Sequence, residues 1–145
     1  MRAIDIGRRH VPTVAGDTPV TEVVHLMRHH QVSCIVVAEA SRRPEGVVCE
    51  RDIVMRGMPP DADLTHLTAA AIMSTPAVVC HVDGSLADIV QAMAGGGVGH
   101  LPLVDDLHRL AGIVSATDVT AAVAELLGEL ARALAPDALA DRPYA

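Results

Sequence analysis

The chain is written twice. The stretch GVVCERDI at 46–53 returns as GIVSATDV at 112–119, an offset of 66 residues. Carried upstream without a gap, the offset sets Asp17 on Asp83, Glu22 on Asp88, Val23 on Ile89, Val24 on Val90 and Met27 on Met93. It then sets Val32 on Val98, Ile35 on Leu101, Val37 on Leu103, Arg43 on Arg109, Gly46 on Gly112 and Asp52 on Asp118. Apolar positions stay apolar throughout, which marks an internal repeat. One copy alone buries too little surface to be comfortably stable. The repeat therefore predicts two copies packed sheet to sheet about a pseudo-twofold axis, with two equivalent clefts between them.

Each copy carries the same order of signals. PTVA and VVCH are short β-prone runs. A helix start follows: Thr18 then Pro19 in the first copy, and Ser85 with Asp88 three residues later in the second. Val20, Val23, Val24 and Met27 recur at helical spacing, as do Leu86, Ile89, Val90 and Met93. CIVVA and HLPLV read as strands, EASRRPE and DDLHRLA as polar turns, and GVVC and GIVS as returning strands that lead into a second helix. The predicted class is α/β, built from two β-α-β-β-α repeats. Repeat 1 spans 4–57, a linker 58–69, repeat 2 70–128, and a helix end with a frayed tail 129–145. In the tail, Val123, Leu126, Leu127, Leu130 and Leu134 predict a helix that is core in its first half and a dimer or partner surface in its second.

Composition narrows the function. Half of the 145 residues are hydrophobic, yet there is no Trp or Phe and the single Tyr is Tyr144. The core is therefore aliphatic, and a flat ligand would be held by aliphatic walls. A formal charge of −7 disfavours nucleic acid, whose binding is driven by counterion release to Lys and Arg. No apolar run is long enough to span a membrane. MRAIDIGRRHV is unlike a signal peptide, and three cysteines without a CxxC suit a reducing, cytoplasmic setting.

The doubled unit closed by GVVCERDI and GIVSATDV resembles a tandem pair of CBS domains, the Bateman module, over about residues 4 to 127. It is similar to the small stand-alone bacterial members. The resemblance implies a regulatory module rather than an enzyme, with adenine nucleotides or related adenosyl compounds in its clefts. Candidate ligands are AMP, ADP, ATP, NAD and S-adenosylmethionine, with no cofactor required. It also implies a homodimer and a response passed to an unidentified protein partner.

Ser115 and Asp118 admit two compatible readings. As a capping box, Ser115 caps a helix and the acid sits in its positive first turn. As a ligand site, the same helix N-terminus offers phosphate its free N–H groups. The resemblance then implies that Ser115, with Thr117 beside it, meets phosphate and that Asp118 takes the ribose hydroxyls. In the first copy Cys49 replaces the hydroxyl, Asp52 stays, and Arg51 enters the first turn, where the dipole disfavours a cation but a phosphate would hold it. Matching positions suggest Ile72, Val79, His100, Leu101 and Pro102 as walls beside Ser115 and Asp118. Val14, Cys34 and Ile35 would serve the Cys49 and Asp52 cleft.

Three further features bear on function. His25 and His29 share a helix face, but no third metal ligand accompanies them. Cys34 and Cys49 stand symmetrically about a hairpin and are expected to be cross-strand neighbours, either as small buried thiols or as a redox link. AGGGVGHLP lacks the Lys-Ser/Thr ending of a phosphate loop and reads as a helix end with a close-packed crossing. Two alternatives to a ligand-binding module follow: an interaction or dimerisation scaffold with vestigial clefts, and a thiol redox sensor.

Overall fold

The computed structural model describes residues 1–140 except Pro59 and Ala62. The first half runs α1 (Ala3–Ile6), β1 (Thr13–Val14), α2 (Val20–His30), β2 (Cys34–Ala38), β3 (Pro44–Cys49) and α3 (Glu50–Arg56). The second repeats the order as α4 (Ala69–Ile72), β4 (Cys80–His81), α5 (Leu86–Gly96), β5 (His100–Val104), β6 (Leu110–Ser115) and α6 (Ala116–Ala140). Each half holds a three-stranded sheet in chain order. The first strand is parallel to the second, across the intervening helix, and the second is antiparallel to the third. The β-α-β-β-α unit is thus present twice, each copy preceded by a four-residue helix.

The central strands are buried on both faces. Ile35 and Val37 pack on their own helices in one cluster, Leu101 and Leu103 in the other. The alternate residues Val36 and Pro102 are fully buried outside both clusters, which the two-residue period of a strand places on the face toward the opposite half. The turns match as well. Arg42 and His108, one offset apart, both take the left-handed conformation, with φ of 60° and 62°. That region is strained for a residue with a Cβ, and His108 is exposed. His108→Gly is therefore expected to raise stability by about 0.5–1 kcal/mol in urea unfolding.

The leaders were not anticipated. Ala3 and Ile4 of α1 belong to the second half's core, and Ala69 and Ile72 of α4 to the first half's. Each leader then adds a bridge to the far sheet: Arg8 pairs with Ile113 and Ser74 with Val47, positions again one offset apart. The halves are interlocked by exchanged segments.

Three expectations are corrected. Thr18 does not cap α2; Pro19 holds the N-cap position. The Thr18 carbonyl accepts Ala69 N–H at 2.8 Å, and Pro19 bridges Thr68, so the exchanged leader keeps this stretch extended and the helix starts later. The first half of the stretch 120–135 is not core: Val123 is 36% exposed and Leu126 40%, and Val119, one turn earlier, is the residue of α6 that packs on the second cluster. The helix also continues through 136–140, where fraying was expected, while 141–145 lie outside the described residues. By contrast, α5 starts as expected. Ser85 Oγ accepts Asp88 N–H at 3.0 Å and Asp88 accepts Ser85 N–H at 2.8 Å. It ends at the glycine run, with Gly97 left-handed and Gly96 against Val78.

Candidate functional site

Two clefts lie between the halves, of about 600 and 500 Å³. Shifting one lining by 66 residues produces the other: Arg8 becomes Ser74, Gln31 becomes Gly97, Cys34 becomes His100. In reverse, Ser115 becomes Cys49 and Asp118 becomes Asp52. These are volumes in which small-molecule sites are built. Each cleft is floored by the start of α3 or α6 and walled by a leader from the opposite repeat.

In the second cleft the capping box is formed. Asp118 Oδ2 accepts Ser115 N–H at 2.9 Å and Ser115 Oγ accepts Asp118 N–H at 3.1 Å. Among the described residues the other oxygen, Oδ1, meets only Arg8 Nε, at 4.0 Å, with Asp118 17% and Arg8 67% exposed. That oxygen remains free to accept a hydroxyl. Thr117 is exposed on the same rim, and His10 and His30 line the cleft beside Arg8, their rings 5.7 Å apart. An exposed cation, two imidazoles and a helix N-terminus therefore converge on the second oxygen of Asp118.

The first cleft departs from this arrangement. Asp52 Oδ2 accepts Cys49 N–H at 2.8 Å, and Oδ1 accepts the Ser74 hydroxyl at 3.0 Å with Arg56 Nη1 at 3.9 Å. Both acceptor oxygens are engaged, and Asp52 is 9% exposed. The difference traces to the leaders: one carries Arg8 and the other Ser74 at the same place. Arg51 lines this cleft and is exposed.

The wall assignments need correction. Ile72, Val14 and Ile35 lie in the first half's core, Leu101 in the second's, and Pro102 is fully buried between the halves. Val79 lines neither cleft. Cys34 lines the Ser115 and Asp118 cleft, not the Cys49 and Asp52 cleft, and His100 lines both. The reason is the exchange: a cleft draws its walls from the other repeat's leader and helix end. Arg8, His10, His30 and Gln31 were therefore missed. The usable signal was the offset itself, which aligns Arg8 with Ser74 ahead of the first strand in each copy.

Where the clefts meet, Cys34 and Cys49 are directly paired across β2 and β3, with sulfurs 3.4 Å apart and both thiols free. Cys49 Sγ lies 3.9 Å from His100 Nδ1, and Ser33 Oγ lies 3.2 Å from His100 Nε2. The contact between the two thiols shifts them in opposite directions. Contact with Cys49 and then burial push the pKa of Cys34 up. Cys49 is lowered to about 6 by the hydrogen bond with Cys34, with His100 helping. The same contact with Cys49 raises His100. His25 and His29 stack at 6.5 Å on the exposed face of α2.

Two interlocked α/β halves with an acid closing each inter-half cleft define a CBS-domain pair, a class of regulatory modules. The CBS domain model matches twice, over 3–58 and 69–125, and the chain belongs to that family. An uncharacterized protein of Methanopyrus kandleri is 30% identical over 122 residues, covering 82% of this chain; the chain spans only 62% of that relative's length. Hypoxic response protein 1 of Mycobacterium tuberculosis is 26% identical over 117 residues, covering 81% of each chain. Its crystal structure, with two coordinated zinc ions, matches at a TM-score of 0.74 and 25% identity, covering 83% of this chain and 97% of that one. A conserved CBS-domain protein of unknown function from Thermoplasma acidophilum matches at a TM-score of 0.76 and 26% identity, covering 83% and 67%. Among the described residues, no helix is long and apolar enough to cross a membrane.

Proposed function

We propose that this CBS pair is a regulatory module that binds an adenine nucleotide or related adenosyl compound, principally in the Ser115 and Asp118 cleft, and does no chemistry on it. The observation that carries the reading is the free Oδ1 of Asp118 beside Arg8 at the N-terminus of α6. A carboxylate oxygen is a strong acceptor for a ribose hydroxyl. Phosphate suits the helix N-terminus, the Ser115 hydroxyl and the guanidinium of Arg8. The first cleft is the weaker site, because a ribose there must displace Ser74 from Asp52.

Signalling follows from where the ligand sits. One molecule in the second cleft touches residues 30–34 of one half and 115–118 of the other. Its affinity then depends on how the halves are packed, and it favours the packing it binds better. A second copy is the proposed cover for the exposed apolar side chains on α3 and α6, where Val54, Met55 and Leu127 are 61, 69 and 61% exposed. The same side chains support a second reading, a dimerisation scaffold that has no ligand.

Calorimetry with AMP, ADP, ATP, NAD and S-adenosylmethionine separates the two. Saturable heat is expected from at least one of them, at one strong site per chain. No heat from any of the five would leave the scaffold.

A further inference from the structure

We propose that Cys34, Cys49 and His100 form a binding site for Zn²⁺ on the partition between the two clefts, independent of the adenosine reading. Their ligand atoms lie within 4.8 Å of one another, and no other such group occurs among the described residues. A tetrahedral zinc ion with bonds of about 2.3 Å to sulfur and 2.0–2.1 Å to nitrogen holds its ligands about 3.5–3.8 Å apart. Two of the three separations here, 3.4 Å between sulfurs and 3.9 Å from Cys49 Sγ to His100 Nδ1, bracket that range, and the third, from Cys34 Sγ to His100, is within 4.8 Å. Small rotamer changes complete the fit.

The surroundings resemble a prepared site rather than a chance meeting of thiols. A metal-bound imidazole usually has its far nitrogen held by a hydrogen-bonding partner, and Ser33 Oγ stands 3.2 Å from His100 Nε2, leaving Nδ1 toward the sulfurs. Two thiolates and an imidazole select a borderline-soft cation over calcium or magnesium. The repeat adds an independent point. Cys34 and His100 are one offset apart, as are Cys49 and Ser115, so the donors occupy three of four symmetry-related positions. Three protein donors leave a fourth place for water or a ligand atom. A disulfide between Cys34 and Cys49 is the competing use of the same thiols, and it needs neither His100 nor Ser33. Bound zinc would tie the β2–β3 hairpin of one half to the start of β5 in the other.

Titration of the reduced, chelator-treated protein with Co²⁺ tests the proposal. A stoichiometric sulfur-to-cobalt charge-transfer band is expected, with the intense visible bands of tetrahedral cobalt, both displaced by Zn²⁺. Cys49→Ser and His100→Gln should abolish them, whereas Cys80→Ser, which alters the remaining thiol, should not. Ser33→Ala should weaken zinc binding about 10- to 100-fold. Circular dichroism of each variant confirms that it is folded, and Zn²⁺ should raise the melting temperature of the parent but not of His100→Gln. Absence of the cobalt bands while the thiols titrate as free overturns the site. So does a band that survives in folded His100→Gln.

Discussion

Asp118→Ala is expected to weaken adenosine-ligand binding at the second cleft by about 10- to 100-fold, the consequence of losing a charged hydrogen-bond acceptor worth about 1.5–3 kcal/mol. The same change removes the partner of Ser115 N–H and should cost about 1 kcal/mol of stability through the lost cap. The two consequences are separable because the fold repeats the capping box elsewhere. Asp88 holds Ser85 N–H in the same geometry at the start of α5 and lines neither cleft. Asp88→Ala should therefore loosen its helix and leave the binding isotherm unchanged. Equal isotherms for Asp118→Ala and the parent would reduce Asp118 to a helix cap. Asp52→Ala should affect affinity little, since Ser74 and Cys49 already occupy both oxygens of that carboxylate.

Gly112→Val should lower stability by about 2–3 kcal/mol and take ligand affinity with it. A Cβ on Gly112 would stand 2.6 Å from the Arg8 carbonyl oxygen and 2.8 Å from Ile4 Cδ1. The Arg8 backbone has little room to yield. It is bonded both ways to Ile113, with Ile113 N–H donating to Arg8 O at 2.9 Å and Arg8 N–H to Ile113 O at 2.8 Å. Overpacking of this kind typically costs 1–3 kcal/mol. Displacing the leader also moves Arg8 and His10 off the cleft, so weaker binding should accompany the lower denaturation midpoint. Gly95 is the contrast, since a Cβ there meets nothing within 4 Å. Gly95→Ala in α5 should be neutral or stabilising by up to about 1 kcal/mol. If Gly112→Val unfolds at the same urea concentration as the parent, the leader does not pack on β6.

The repeat made much of this fold legible. An unbroken offset fixes where each strand, turn and helix recurs, and the symmetric placing of Cys34 and Cys49 about the turn sets them opposite each other once the hairpin is drawn. Ser85 with Asp88, and Ser115 with Asp118, were readable because a capping box is local chemistry over four residues. The leaders were not readable. Helices of four residues, as in α1 and α4, show no periodicity, and nothing local says that Ile4 packs in the far half. The wall residues failed for a related reason. A strand buried on both faces reads as a continuous apolar run, so Ile35 and Leu101 look as fit for a cleft as for the core. The meeting of His100 with Cys49 is also purely tertiary, set by the pseudo-twofold packing.

The central claim is that one cleft, assembled from both repeats, holds the adenosyl ligand. Amide resonances of the nitrogen-labelled chain, followed as AMP is added, test it most directly. The account predicts saturable shifts clustered at Arg8, His10 and Gln31 together with Ser115, Thr117 and Asp118, with much smaller changes around Asp52. Shifts confined to a single repeat, or centred on Cys49 and Asp52 with Asp118 unmoved, would contradict it.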